Sequence, residues 1–301
     1  VHKLCLITLD KFRNSLPQFN MKSTWKLALL TTTSLISSTI LGELPTQAAT
    51  FAQSETLIRL SDFNLTPQNP DANSQRNAIA FSGSKTSTVA ANADGTLALI
   101  TNQSNETLID LDFDSDVSGD GNNYFGVGRT FAFTSSNFLI PEAATFSFGF
   151  EVNLFLDNIV DTIDDGSVAN FSRVTFSLLD EQDDRFLGGL IAVGNLTTNL
   201  PSVDQDFLVA NATPNVGFNG FRTPNFGSNQ ESGAISLTGQ FSQTFTTATQ
   251  VRLEVSTLNL SCSQAPKTDT PCTKVPEPHS IFALIVAVMG LGLVSRKVRH
   301  I

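Results

Sequence analysis

The run of side chains best able to do chemistry is Asp110-Leu-Asp-Phe-Asp-Ser-Asp-Val-Ser-Gly-Asp-Gly-Asn-Asn, ending at Asn123. Asp110, Asp112, Asp114, Asp116 and Asp120 bring carboxylates at alternate positions into a Gly/Asn turn. A hard cation such as Ca²⁺ takes six to eight oxygens at about 2.3–2.6 Å, and Asp, Asn and turn carbonyls supply them. These five residues are therefore the candidate metal ligands. They do not make an EF-hand. Counting from Asp112, Val117 stands where that loop needs Gly, and Asn123 where it needs Glu. The simpler reading is a strand with one acidic wet face that runs into a turn and blunts a sheet edge.

Two further acidic groups stand at Asp161/Asp164/Asp165 and Asp180/Glu181/Asp183/Asp184. A carboxylate-only glycosidase would need a pair of carboxyls among Asp161, Asp164, Asp180, Glu181 and Asp183, about 5–9.5 Å apart in a cleft. As sequence, each group reads as a solvated turn. Other chemistry is removed by what is missing. No His occurs between His2 and His279, the single Trp is Trp25 and the single Tyr is Tyr124. A His-based triad, an imidazole metal site and a Trp/Tyr sugar platform cannot be built from the middle of this chain. Its expected cofactor complement is none, with Ca²⁺ as the alternative.

The elements that must position these residues read as strands. Phe146, Phe148, Phe150, Val152, Leu154 and Leu156 alternate with Thr145, Ser147, Gly149, Glu151 and Asn153, a half-buried strand. Val174, Phe176 and Leu178 repeat the pattern, as do Ile235, Leu237 and Phe241, and then Val251, Leu253 and Val255. Beyond Val255 the apolar phase slips, and Leu258 and Leu260 resume it, which predicts a bulge near Ser256–Thr257. Phe131 and Phe133 predict a shorter strand. Arg185 to Val193 is more continuously apolar and predicts a more buried strand. Leu97–Thr101 and Thr107–Leu111 can pair across the turn at 102–106.

No segment keeps a 3.6-residue period. Many strands between Gly/Asn/Asp turns predict an all-β, two-sheet sandwich, jelly-roll-like, with a Phe-rich core. About 210 residues can bury such a core without a staple. A β-helix is the alternative, and the absence of a fixed repeat of about 20–30 residues counts against it.

Asn211 to Gly233 reads as a long loop. It holds the near-duplicates Thr213-Pro-Asn-Val-Gly217 and Thr223-Pro-Asn-Phe-Gly227, and Phe218, Phe221 and Phe226, which are expected to pack on the domain. Seven Asn-x-Ser/Thr triplets begin at Asn64, Asn102, Asn105, Asn170, Asn195, Asn211 and Asn259. The preferred account is that Asn, Ser and Thr are common here; glycan attachment is the alternative. Cys262 and Cys272 should form a disulfide outside the cytoplasm. By the loop-entropy model a ring this small contributes a little under about 3 kcal/mol.

Residues 49–275 carry 25 acidic and 10 basic side chains, a formal charge of −15. That argues against nucleic acid and anionic membrane as partners, and it permits divalent cations or polymers bridged by them. Unlike signals flank this acidic middle. Lys22 and Lys26 precede Leu27-Ala28-Leu29-Leu30 and a Thr/Ser/Leu/Ile run to Leu41, followed by Pro45 and Thr46-Gln47-Ala48-Ala49. This is the pattern of a secretory signal peptide cleaved between Ala48 and Ala49. A signal anchor is the alternative. Met21 is the natural start, and residues 1–20 read as an upstream extension.

At the other end, Val275-Pro276-Glu277-Pro278 precedes the uncharged run Ile281–Val294 and the cations Arg296, Lys297 and Arg299. As a helix, those 14 residues span about 21 Å, short of a hydrocarbon core of about 30 Å. The cations can reach headgroups, and they place this end in the cytoplasm as a membrane stop. Two prolines keep the tetrapeptide out of the helix. Together these residues resemble the PEP-CTERM sorting signal of exported, exopolysaccharide-associated bacterial proteins, with His279 after the motif as a mild departure. The resemblance covers about a tenth of the chain. It implies recognition of Val275, Pro276, Glu277 and Pro278 by an exosortase-like transpeptidase.

The expected order is then an extension (1–20), a signal peptide (21–48), a β-sandwich (49–261), a linker (262–274) and the sorting signal (275–301) with its transmembrane helix (281–294). The expected product is an exported, non-catalytic protein, tethered to the inner membrane as a precursor by its C-terminal helix. It then passes to the cell surface or extracellular matrix for structural, adhesive or polysaccharide-associated work. A Ca²⁺-dependent glycan-binding module and a carboxylate-only glycosidase are the alternatives.

Overall fold

A computed structural model describes residues 50–101, 107–161, 166–199, 206–266 and Cys272. Within them the chain forms strands β1 (Thr50–Ser61), β2 (Gln68–Ser82), β3 (Thr88–Thr101), β4 (Thr107–Asp120), β5 (Tyr124–Ile140) and β6 (Thr145–Val160). It continues with β7 (Ser167–Asp180), β8 (Phe186–Thr198), β9 (Phe207–Ala212), β10 (Val216–Asn225), β11 (Gln230–Thr244) and β12 (Thr249–Ala265). They make two six-stranded sheets, β10-β11-β6-β1-β4-β3 and β2-β5-β12-β7-β8-β9. Every pairing is antiparallel. The signal peptide, the linker residues 267–271, the sorting motif, the 281–294 helix and the terminal cations lie outside the described residues.

Alternation drives the packing. On β1, Thr50, Ala52, Ser54, Thr56, Ile58 and Leu60 all point inward, and their neighbours point out. Inward residues of the two sheets meet in a core whose character changes along the strands. One half is a phenylalanine cluster. Phe146 and Phe148 of β6 and Phe241 of β11 face Phe138 of β5 and Phe176 of β7. Phe148 stacks on Phe241 at 5.1 Å and meets Phe176 edge-on at 5.4 Å. Each buried ring contributes on the order of 1.5–3 kcal/mol by transfer.

The other half is built from small polar residues that bond from sheet to sheet. Asn259 of β12 donates through Nδ2 to Thr56 Oγ1 at 3.0 Å and Phe113 O at 2.7 Å, and accepts from Ser172 Oγ at 2.7 Å. Ser54 bonds Ser172 at 2.6 Å across the sheets, and Ser261 donates to Ser115 O at 2.8 Å. Asn170 of β7 donates to Gln53 O, Asp157 O and Asn158 Oδ1 of the opposite sheet, at 2.6–2.8 Å. Serine-length side chains can bond across a sandwich only where the sheets approach closely. A Cβ on Gly128 would lie 2.4 Å from Asn92 O, so that position has room for hydrogen alone.

This polar half corrects several expectations. β12 keeps an unbroken register with both β5 and β7 through Ser256–Thr257, so there is no bulge there. Thr257, Asn259 and Ser261 occupy the inward positions, and Leu258 and Leu260 face out. Phe131 and Phe133, read as a shorter strand, lie within the 17-residue β5 and face outward, since its inward residues there are Thr130, Ala132, Thr134 and Ser136. Hydropathy slipped at the boundary; the backbone did not. β12 also runs on to Ala265, so Cys262 belongs to the last strand and not to a linker. Residues 211–233, read as a loop, contain β10 and the start of β11. Phe218, Phe221 and Phe226 stay exposed on that edge instead of packing.

Each open side of the sandwich is latched by an arginine. Arg222 of β10 donates to Leu208 O and Ala210 O of β9, at 3.4 and 3.1 Å, using edge carbonyls that would otherwise await another strand. On the opposite side Arg76 of β2 pairs with Asp94 of β3 at 2.9 Å.

Asn259→Ala should lower the unfolding free energy by on the order of 2–4 kcal/mol, because Ser172, Thr56 and the Phe113 carbonyl each lose a buried partner. Thr238→Ala, exposed on β11, should change it by less than about 0.5 kcal/mol. Denaturant titration of both variants checks this, and equal effects would refute the load assigned to the polar half.

Candidate functional site: the acidic face of the first sheet

Strand β4 aims Asp110, Asp112, Asp114 and Asp116 out from one face of the first sheet, with Asp120 at its end. The candidate ligands are thus ranged along a strand, as the simpler reading of an acidic wet face has it, about 6.7 Å apart at each step of two residues, and are not gathered into a metal loop. The reason is parity. The intervening Leu111, Phe113, Ser115 and Val117 are buried, and burying them holds the strand straight.

Register brings in neighbours that the linear pattern did not reveal. Asp94 of β3 lies opposite Asp114, and Asp114 lies opposite Glu55 of β1. Asn92, Asp116, Gln53 and Asp157 form a second row across β3, β4, β1 and β6. Arg59 stands between Asp110 and Glu151, with its guanidinium 3.0 and 3.8 Å from their carboxylates. Glu55, Asp94, Glu151 and Asp157 were missed as partners of the aspartate run, since only sheet register places them beside it.

The face is electrostatically loaded. Burial, then Asp114, then Asp112, pushes the Glu55 carboxyl above its ordinary value. Asp112 is raised by burial and by Asp110, with Arg59 opposing. Asp114 is raised by burial and by Asp116, Asp94 and Asp112, against a lowering backbone hydrogen bond. Asp157, only 7 % exposed although it points outward, is pushed up to about 6 by burial. Such groups favour protonation or a nearby cation. Among the described residues no three His, Cys, Asp or Glu converge as a metal-holding group. The arrangement suits cations shared between neighbouring carboxylates, or hydroxyl-rich ligands laid flat across Asn92, Gln53 and Asn153.

The glycosidase carboxylates do not come together. Asp161 ends β6 near the start of β7, and Asp180 ends β7, so most of the length of β7 separates them. Asp180 pairs with Arg185 at 3.1 Å, and Glu181 accepts from Asn137 at 2.8 Å. Asp183 accepts from the Arg185 backbone within the same turn, and Asp164 lies outside the described residues. Of the Asn-x-Ser/Thr positions, Asn170, Asn195 and Asn259 are buried. Asn170 and Asn259 hold the sheets together and present no amide to a glycan. Cys262 and Cys272 are disulfide-bonded with Cα atoms 5.6 Å apart. Ala48, Ala49, Val275–Pro278, Arg296, Lys297 and Arg299 lie outside the described residues.

A carboxyl that titrates near 6 in the folded chain and near 4 when unfolded is stabilising while protonated, and that contribution is lost as pH rises through about 6. Asp157→Asn should therefore raise the melting temperature at pH 7.5, with the gain shrinking toward pH 4. A gain independent of pH would contradict the assignment. Comparison with known proteins finds no matching family model, no matching curated protein and no matching solved structure.

Proposed function

We propose that the chain is an exported, non-catalytic β-sandwich with jelly-roll-like wrapping, sorted to the cell surface or extracellular matrix for structural, adhesive or exopolysaccharide-associated work. The observation that carries this is the disulfide between Cys262 and Cys272 at the junction of the domain and its C-terminal segment. A buried disulfide there suits an oxidising compartment. It also supplies a fixed base for a segment that resembles an exosortase-read signal. The sandwich, free of His, with its carboxylates spread over an open sheet, supports a binding surface over a reaction centre. Its partners on this reading are the secretion machinery, an exosortase-like transpeptidase, the membrane before processing, and extracellular polysaccharide afterwards.

Replacing Pro276, Glu277 and Pro278 with alanine should stop surface delivery and leave the precursor in the inner membrane. Fractionation with immunodetection reads this out, and unchanged delivery sinks the sorting role.

A second reading, Ca²⁺-dependent glycan binding, is favoured by the Asp94–Asp114–Glu55 row, whose mutual repulsion a divalent ion would relieve. Extracellular calcium modules bind at about 10⁻⁴–10⁻³ M. Calorimetry should then show Ca²⁺ heat in that range that Asp114→Asn weakens at least about threefold; no heat and no thermal stabilisation removes this reading.

A further inference from the structure

Donors on the outer face of the first sheet are unevenly spent. Gln53 Nε2 donates to Glu55 Oε1 at 2.6 Å, Asn92 Nδ2 to Asp116 Oδ1 at 3.2 Å, and Asn153 Nδ2 to Glu151 Oε1 at 2.9 Å. Arg59 is held by Asp110 and Glu151. Among the described residues no side chain donates to Asp112, Asp114 or Asp157, and Asp114 has only its own backbone amide. Asp157 stands apart from the aspartate run, on β6, and is more than nine-tenths buried, at 7 % exposure. Its register neighbours are Ser232 and Gln53, and the Gln53 amide is turned to Glu55. Yet its oxygens are not among the fully enclosed polar atoms left without a partner, so the carboxylate tip stays reachable from the face. A carboxylate withdrawn from water with no donor is costly unless a cation from outside completes it.

Spacing says what kind of cation. Asp112 and Asp114 lie on β4 and Asp157 on β6, with β1 between. From strand spacing and rise, Asp112 and Asp114 are about 7 Å apart, Asp114 and Asp157 about 12 Å, and Asp112 and Asp157 about 16 Å. One divalent ion needs its oxygens at about 2.3–2.6 Å and cannot join them. A polymer that carries separate cations can. Between the carboxylates lie Glu55 and the half-buried apolar Leu57 and Phe155. The same rows continue through Ser236 and Ala234 to Phe221 and Thr223 of β10, and the Phe221 ring is 60 % exposed. The strands beneath, β4, β1 and β6, are each paired on both sides, so they offer no free main-chain groups to a peptide. A sugar polymer needs none. Its amines meet carboxylates, its C–H faces lie on Leu57 and Phe155, and its hydroxyls reach Asn153 and Ser232.

We propose that the outer face of the first sheet binds a polysaccharide bearing free amino groups, a polymer of de-N-acetylated hexosamine. It lies obliquely across β4, β1 and β6, with ammonium groups on Asp112, Asp114 and Asp157. The proposal rests on the polysaccharide-associated role put forward above and names the chemistry of the polymer. It differs from Ca²⁺-dependent glycan binding, because direct charge pairing needs no metal.

Calorimetry on the full chain in nonionic detergent and EDTA tests this with four probes: a glucosamine hexamer, an N-acetylglucosamine hexamer, spermine and a lysine hexapeptide. The glucosamine hexamer should bind, and Asp112→Asn with Asp157→Asn should weaken it at least about tenfold. Both changes are isosteric, and a melting temperature that does not fall shows that the domain still folds. The acetylated hexamer, with its charge removed, should bind at least about tenfold more weakly than the glucosamine hexamer. Equal binding of the two hexamers overturns the amine assignment and leaves the polysaccharide role standing. Binding of neither overturns the proposal and counts against that role as well. Spermine or the lysine peptide binding as tightly as the glucosamine hexamer also overturns it, since the face would then read charge alone. So does glucosamine binding that the double variant leaves unchanged, or binding that appears only when Ca²⁺ replaces EDTA, which would belong to the second reading.

Discussion

Side-chain hydrogen bonds that cross from sheet to sheet are what this sandwich depends on. Asn259, Asn170, Ser172, Ser54, Ser115 and Ser261 join the sheets over half their length, where most sandwiches would place aliphatic side chains. The exchange has a condition. A buried amide costs least when its donors and acceptor are matched, as at Asn259, and that matching needs a short and definite separation of the sheets. Asn170 uses its donors alone, its Oδ1 lacking a partner among the described residues. Gly128 and the run of Ser and Thr meet that condition by taking up little space. The phenylalanine half has no such demand, since rings can adjust by tilt, as the spread from stacked to edge-on contacts there shows.

A core that is half polar leaves apolar residues to be placed elsewhere, and they go to the outer face of the second sheet. Thr257, Asn259 and Ser261 take the inward positions of β12, so Leu258 and Leu260 must face out. The same inversion on β5 sends Phe131 and Phe133 outward. The first sheet does the reverse, burying Leu111 and Phe113 and presenting aspartates. One domain thus carries a carboxylate face and, on the opposite side of the core, an apolar face that includes Arg129 and Arg173.

Strand content was legible because the apolar half obeys period 2 with large residues. Thr145–Leu156 and Val174–Leu178 could hardly read otherwise, and β6 and β7 contain them. Polar strand interiors were illegible to hydropathy. Asn170-Phe-Ser172 and Asn259-Leu-Ser261 look like glycan acceptors or turn chemistry, yet each pair sits two apart on one strand and faces inward. β2 went unseen for another reason: as an edge strand exposed along its whole length it has no buried side to create a pattern. The aspartate run was visible, but its partners Glu55, Asp94 and Asp157 lie 39 to 102 positions from one another in sequence, and pairing alone makes them neighbours.

By itself the sequence determined the all-β class, the acid-rich and His-free chemistry of the middle segment, and the charged and apolar segments at the two ends. These follow from composition and local periodicity, which need no knowledge of what packs on what. Only the tertiary structure decided which side of each strand is inside. In this chain polarity does not mark the outside, because a buried hydrogen bond between sheets substitutes for a buried side chain, and that substitution exists only once two distant strands are brought face to face.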